Sequence, residues 1–142
     1  MNPAQTQPQT RADLESLEPH RVAALGELAP DTVRAWACAA GQRYVEIDLT
    51  NVRTRKAALQ IIGAALAFPR WYGANLDALY DCLTDLAQNT DAAGHVLLLR
   101  GFSQTAPREG LSTEDRAELL DVFRDAVTQC APQHAPLRVF YV

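Results

Sequence analysis

The run HVLLLRGF, His95 to Phe102, constrains the chain more than any other stretch. Four consecutive apolar residues, Val96 to Leu99, leave no polar side for solvent. A strand of this kind is stable only where both faces are covered, as inside a parallel sheet flanked by helices. It is therefore expected to be a middle strand. Arg43 to Leu49 alternates Val45, Ile47 and Leu49 with Tyr44, Glu46 and Asp48, the two-residue period of a half-covered strand toward an edge. Leu137 to Val142 closes the chain as a third strand.

Helical patterns fill the intervals. Asp31 is the candidate N-cap of a helix anchored by Trp36, with Gly41 as the residue past its end. Arg53 to Leu66 is rich in Ala and Leu, places Leu59, Ile62 and Leu66 at helical spacing, and exits at Pro69. Asn75 is the candidate N-cap of a third helix. Ser112 with Asp115 approximates a capping box for a fourth, which keeps Leu119, Val122, Phe123 and Ala126 on one face. Strand, helices, strand, helix, strand predicts an α/β layer protein: a three-stranded parallel sheet with helices packed on it, plus an extra N-terminal helical segment. The expected organisation is a flexible tail over 1–12, rich in Gln, Thr and Pro, a helical extension over 13–43, and an α/β domain over 44–142.

With 142 residues, 48% of them hydrophobic, the chain can bury one real core. Its net charge of −4 argues against a phosphate-backbone binder, so no nucleic-acid partner is expected, and a basic protein partner is easier to accommodate. Cys38, Cys82 and Cys130 are odd in number, widely spaced and without a CxxC pair, which fits reduced thiols. The opening residues hold neither a basic segment nor an apolar run, so a cytoplasmic location without membrane association is expected. His20, His95 and His134 are scattered, and the glycines stand singly rather than in a phosphate-binding loop. No catalytic residue, metal or cofactor is expected.

The stretch FPRWYGANLDALYDCLTDL, Phe68 to Leu86, poses a sharper question. With Asn75 as N-cap, Leu76, Leu79, Leu83, Leu86 and Ala87 gather on the core side at about 100° per residue. Asp77, Asp81 and Asp85 then share an arc of roughly 80° on the far side, with Tyr80 and Thr84 at its border. Like charges four residues apart repel by a few tenths of a kcal/mol per pair, and no Lys or Arg follows on the helix to relieve them. A solvated face is one reading, and Asp77 is favoured near a helix N-terminus whatever its role. A binding face is the other, supported by the aromatic pair Trp71 and Tyr72 in the loop leading into it. As a cage for a hard cation the face is poor, having no backbone carbonyls or turned loop.

The run from Trp71 to Thr84 resembles the signature of the barstar family, intracellular protein inhibitors of secreted ribonucleases such as barnase. The likeness extends more weakly over Tyr44 to Val142, where the strands and the VFRDA helix segment come in the family's order. It implies a barstar-like fold without enzymatic activity and a partner that is a small basic ribonuclease of barnase type. Carboxylates on a rigid helix would replace RNA phosphates in that enzyme's basic groove.

By position, Asp81 stands where a family aspartate enters the phosphate pocket, and Asp77 at the other helix aspartate of the interface. Trp71 takes the place of a Tyr that packs on a catalytic-site histidine, while Gly73 and Asn75 match loop positions that approach the nuclease. Tyr80 replaces a Trp, Thr84 matches a helix contact, and Asp125 falls where a neighbouring helix contributes a glutamate. The motif does not require Asp85, which extends the acidic face toward the helix end. Arg70 and Ala74 stand where the best-known member has acidic loop residues, so the acidic patch is shifted along the helix. The alternative from another class is a non-enzymatic binding module that docks a different basic protein through the same face.

Overall fold

Val96, Leu97, Leu98 and Leu99 are each at most 1% exposed, as their unbroken apolar run demands. The computed structural model describes residues 21–88, 92–102, 110–130 and 136–142. The tail expected over 1–12, the start of the expected extension over 13–20, and His20 and His134 lie outside the described residues. Along the chain run β1 (Arg21–Ala24), α1 (Pro30–Ala39), β2 (Arg43–Asp48), α2 (Arg55–Ala65), α3 (Leu76–Gln88), β3 (His95–Arg100), α4 (Thr113–Cys130) and β4 (Leu137–Tyr141).

The sheet has the order β1-β4-β3-β2, and every neighbouring pair is parallel. Among the described residues it has four strands, not the expected three. The additional one is β1, in which Arg21 to Ala24 pair with Arg138 to Tyr141. The N-terminal segment is thus not wholly helical: it lays a strand along the outer edge of β4 before turning into α1. Pairing there satisfies backbone groups that β4 would otherwise present to solvent, and Leu25 N–H continues it onto the Tyr141 carbonyl at 2.9 Å. β2 occupies the opposite edge, in keeping with its half-covered alternation.

The two-residue period sorts the strands onto two cores. On one face Ile47, Leu49, Leu97, Leu99, Leu137 and Val139 pack with Leu59 and Ile62 of α2, Leu79 and Leu83 of α3, and Leu119 and Phe123 of α4. On the other face Val96, Leu98 and Phe140 pack with Leu25 and with Val33 and Ala37 of α1, and Trp36 lies half-buried against them. Fully burying each Leu or Phe contributes about 1.5–3 kcal/mol. Beside this second core the Glu46 carboxylate accepts the Tyr44 hydroxyl at 3.0 Å and Arg34 Nη2 at 3.4 Å, and it pairs with Arg100 Nε. The Arg100 bond, chiefly, holds the Glu46 carboxyl below its usual range.

Helix ends follow local chemistry, with one correction. α1 begins at Pro30 behind Ala29, which makes no side-chain cap bond, and Asp31 sits in the first turn rather than at the N-cap. Proline's fixed φ and missing N–H suit the first helical position, which moves the start one residue earlier than an Asp cap would. Past its end, Gly41 N–H bonds to Cys38 O at 3.1 Å and Gln42 N–H to Ala37 O at 2.8 Å. This paired closure needs a left-handed residue, and Gly41 supplies it at φ 71°. α2 closes with the same pair of bonds, Ala67 to Ala64 O at 3.3 Å and Phe68 to Gly63 O at 2.9 Å. Here the left-handed residue is Ala67, at φ 55°.

Candidate functional site

α3 starts where its cap puts it. Asn75 Oδ1 accepts the Ala78 amide at 2.8 Å, and the Leu79 amide bonds to the Asn75 carbonyl at 2.9 Å. From that start the apolar side turns inward. Leu79, Cys82, Leu83 and Ala87 are buried, with Leu76, Tyr80 and Leu86 packed half-buried around the same core. Asp77, Asp81 and Asp85 are all exposed on the opposite side. The helix carries no basic residue in its last turn and Asp77 in its first. The charges are felt locally: burial, then the Asp85 and Asp81 carboxylates, push the Cys82 thiol above its ordinary pKa.

Of the border residues, Tyr80 leans its ring on the core, while Thr84 donates its hydroxyl to the Asp81 carbonyl at 2.9 Å. Asp125 is exposed on α4, the helix packed against α3. The structure thus brings Asp77, Asp81 and Asp85 onto one surface and places Asp125 on its neighbour.

The loop ahead of α3 divides the two aromatics that look equivalent in the sequence. Trp71 is 61% exposed, the most exposed large apolar side chain among the described residues. Tyr72 turns the other way, donating its hydroxyl to the Leu59 carbonyl of α2 at 2.7 Å. Its ring stands edge-on to Phe68, with 5.0 Å between centroids. Burial chiefly pushes its hydroxyl up to about 12. Gly73 is exposed, and its carbonyl accepts Lys56 Nζ from α2 at 3.1 Å. Ala74, at φ 53°, makes the left-handed bend that delivers the chain to Asn75. An open groove of about 430 Å³ lies between α2 and this loop, lined by Lys56, Gln60, Gly63, Phe68, Tyr72 and Gly73 among others.

Two participants, Lys56 and Gly63, escape the sequence reading because each meets the loop through tertiary contact rather than pattern. Lys56 is 17 positions from Gly73. The unusual glycine inside an Ala- and Leu-rich helix was the one available signal for Gly63.

Chemically, the surface offers carboxylates, one exposed indole and backbone groups. Among the described residues no three His, Cys, Asp or Glu side chains are grouped to hold a metal ion, and no helix is long and apolar enough to cross a membrane. Such a surface presents negative charge along one face of a helix, with an exposed aromatic beside it. The family model for Barstar (barnase inhibitor) matches residues 42–142, which spans β2 to β4 and takes in the whole acidic helix. With well over half of its length matched, this chain belongs to the Barstar family, a family of barnase inhibitors.

Proposed function

We propose that this protein binds and blocks the active site of a basic, barnase-type ribonuclease through α3 and the loop before it. The carrying observation is the exposed row Asp77, Asp81 and Asp85 on a helix with no basic residue of its own. Like charges four residues apart repel one another, whereas a basic groove built for phosphates gains charge-assisted hydrogen bonds from them. Asp81, at the centre of the row, enters the phosphate pocket, and Asp77 meets the adjoining cations. Trp71 stacks on the nuclease surface beside them. Gly73 and Asn75 bring the loop backbone close, Tyr80 and Thr84 fill the border, and Asp85 and Asp125 widen the acidic field.

The test is protection of RNA from cleavage by a barnase-type nuclease. Wild-type protein should inhibit stoichiometrically. Asp81→Ala should weaken binding by about 2–5 kcal/mol, roughly 30-fold to several thousandfold, because the nuclease's cations are left buried and unpaired. Association should also slow as salt rises, since exposed charges are screened beyond about 10 Å at 0.1 M. Equal inhibition by wild type and Asp81→Ala refutes the assignment of the face. Failure to inhibit any member of a panel of basic ribonucleases refutes the nuclease reading and leaves a different basic protein as the occupant.

A further inference from the structure

We propose that Tyr72, seated on Gly63, is a positioning residue that fixes the loop between α2 and α3, so that Trp71 meets the partner already oriented. The inference rests on the ribonuclease-binding reading for its consequence but on loop geometry for its substance.

The seat is formed by an absent side chain. A Cβ built on Gly63 would lie 2.5 Å from Tyr72 Cε2 and 2.7 Å from Cδ2, closer than real contacts allow. The ring can lie where it does only because residue 63 has none. Glycine in a helix interior is destabilising relative to alanine, and α2 itself gains nothing from it. What offsets that cost is the ring: once in place it lets the hydroxyl reach Leu59 O at 2.7 Å and packs against Phe68.

Further ties flank Trp71. Before it, Phe68 N–H is held by the Gly63 carbonyl at 2.9 Å, and the Tyr72 amide turns back across it to Pro69 O at 3.0 Å. After it, Lys56 Nζ holds Gly73 O at 3.1 Å. An exposed indole on a free loop would lose rotamer and backbone freedom on binding, and a loop fixed beforehand avoids that loss. Tyr72 therefore acts through its neighbour and need not touch the partner.

The test uses the full chain with Trp36→Phe, which leaves Trp71 as the single tryptophan. Fluorescence anisotropy decay then reads the nanosecond motion of its indole, trypsin cleavage after Arg70 reads opening of the loop, and titration with barnase reads the consequence. Gly63→Ala should speed both indole motion and cleavage. It should weaken barnase binding about tenfold, mostly through loss of preorganisation, while the improved helix propensity of α2 keeps the thermal midpoint from falling in proportion. Tyr72→Phe keeps the ring in its seat and should retain near wild-type anisotropy and affinity. Tyr72→Leu, which empties the seat without forcing a clash, should loosen the loop as Gly63→Ala does. Unchanged indole motion in both Gly63→Ala and Tyr72→Leu overturns the proposal. So does a freed indole with undiminished barnase affinity. If the wild type itself does not bind barnase, the ribonuclease reading fails for that enzyme, and the anisotropy alone decides whether the seat exists.

Discussion

The side-chain Oδ1 of Asn75 accepts the Ala78 amide at 2.8 Å, so the residue that ends the loop also starts the acidic helix. One of the helix's unpaired N–H groups is satisfied by this bond, and Asn75→Ala removes it. The expected cost is about 1 kcal/mol, within the range for lost N-caps, read as a lower urea midpoint at an unchanged slope. Asn75→Asp keeps an acceptor at the cap and should recover most of the loss. If Asn75→Ala leaves the midpoint unmoved, the cap contributes nothing to folding.

Removing the central carboxylate should separate stability from binding. Asp81 is exposed, with Asp77 and Asp85 four residues to either side. Asp81→Ala relieves two repulsive pairs worth a few tenths of a kcal/mol each and installs a better helix former, worth about 0.5 kcal/mol more. The variant should melt a few degrees higher at low salt, by roughly 2–4 °C per kcal/mol in a chain of this size, while losing ribonuclease protection. A lower melting temperature would show instead that Asp81 serves the fold.

Much of this organisation is legible in the residues themselves, and what is not has tertiary causes. Val96 to Leu99 reads as an interior strand because four apolar residues in a row admit no exposed face. The acidic arc reads correctly because the helix is amphipathic and its cap is explicit. β1 does not read as a strand: RVAA is too short for alternation to declare itself, and its state is decided by the open edge of β4, 117 positions away. The split between Trp71 and Tyr72 is equally hidden. Two adjacent aromatics in a loop look interchangeable until a glycine on another helix makes room for one of them.

The closures of α1 and α2 are built from the same two bonds, but with Gly41 in one and Ala67 in the other. A left-handed alanine costs about 1–2 kcal/mol relative to ordinary backbone, of which glycine would give back roughly half to one kcal/mol as extra unfolded-state entropy. Ala67 is exposed, so its methyl group loses little packing on removal. Ala67→Gly should therefore raise stability by about 0.5–1 kcal/mol in urea denaturation. A decrease would mean that the methyl group makes contacts worth more than the strain.

His95 should give the fold a dependence on pH below its ordinary titration range. It is 1% exposed at the start of β3, in register with Arg43 of β2 and Leu137 of β4, and its Nδ1 has no hydrogen-bond partner among the described residues. Burial chiefly, then the positive charge of Arg43, hold the imidazole below its ordinary value of 6.5. In the window between the folded and unfolded values the unfolded chain binds more protons, so stability rises with pH there. The contribution is fully present above the unfolded value and is lost as pH falls through the folded one. Glu46 and Asp48, whose carboxyls are also held low, lose stability in the same direction. They do so only below the ordinary carboxylate range of about 4 to 4.5, which leaves the interval from about pH 7 to 5 to histidine. Unfolding free energies measured in urea across that interval should fall on acidification in the wild type, and His95→Gln should flatten the slope whatever it does to the absolute value. Parallel slopes in the two proteins would assign the dependence to another group.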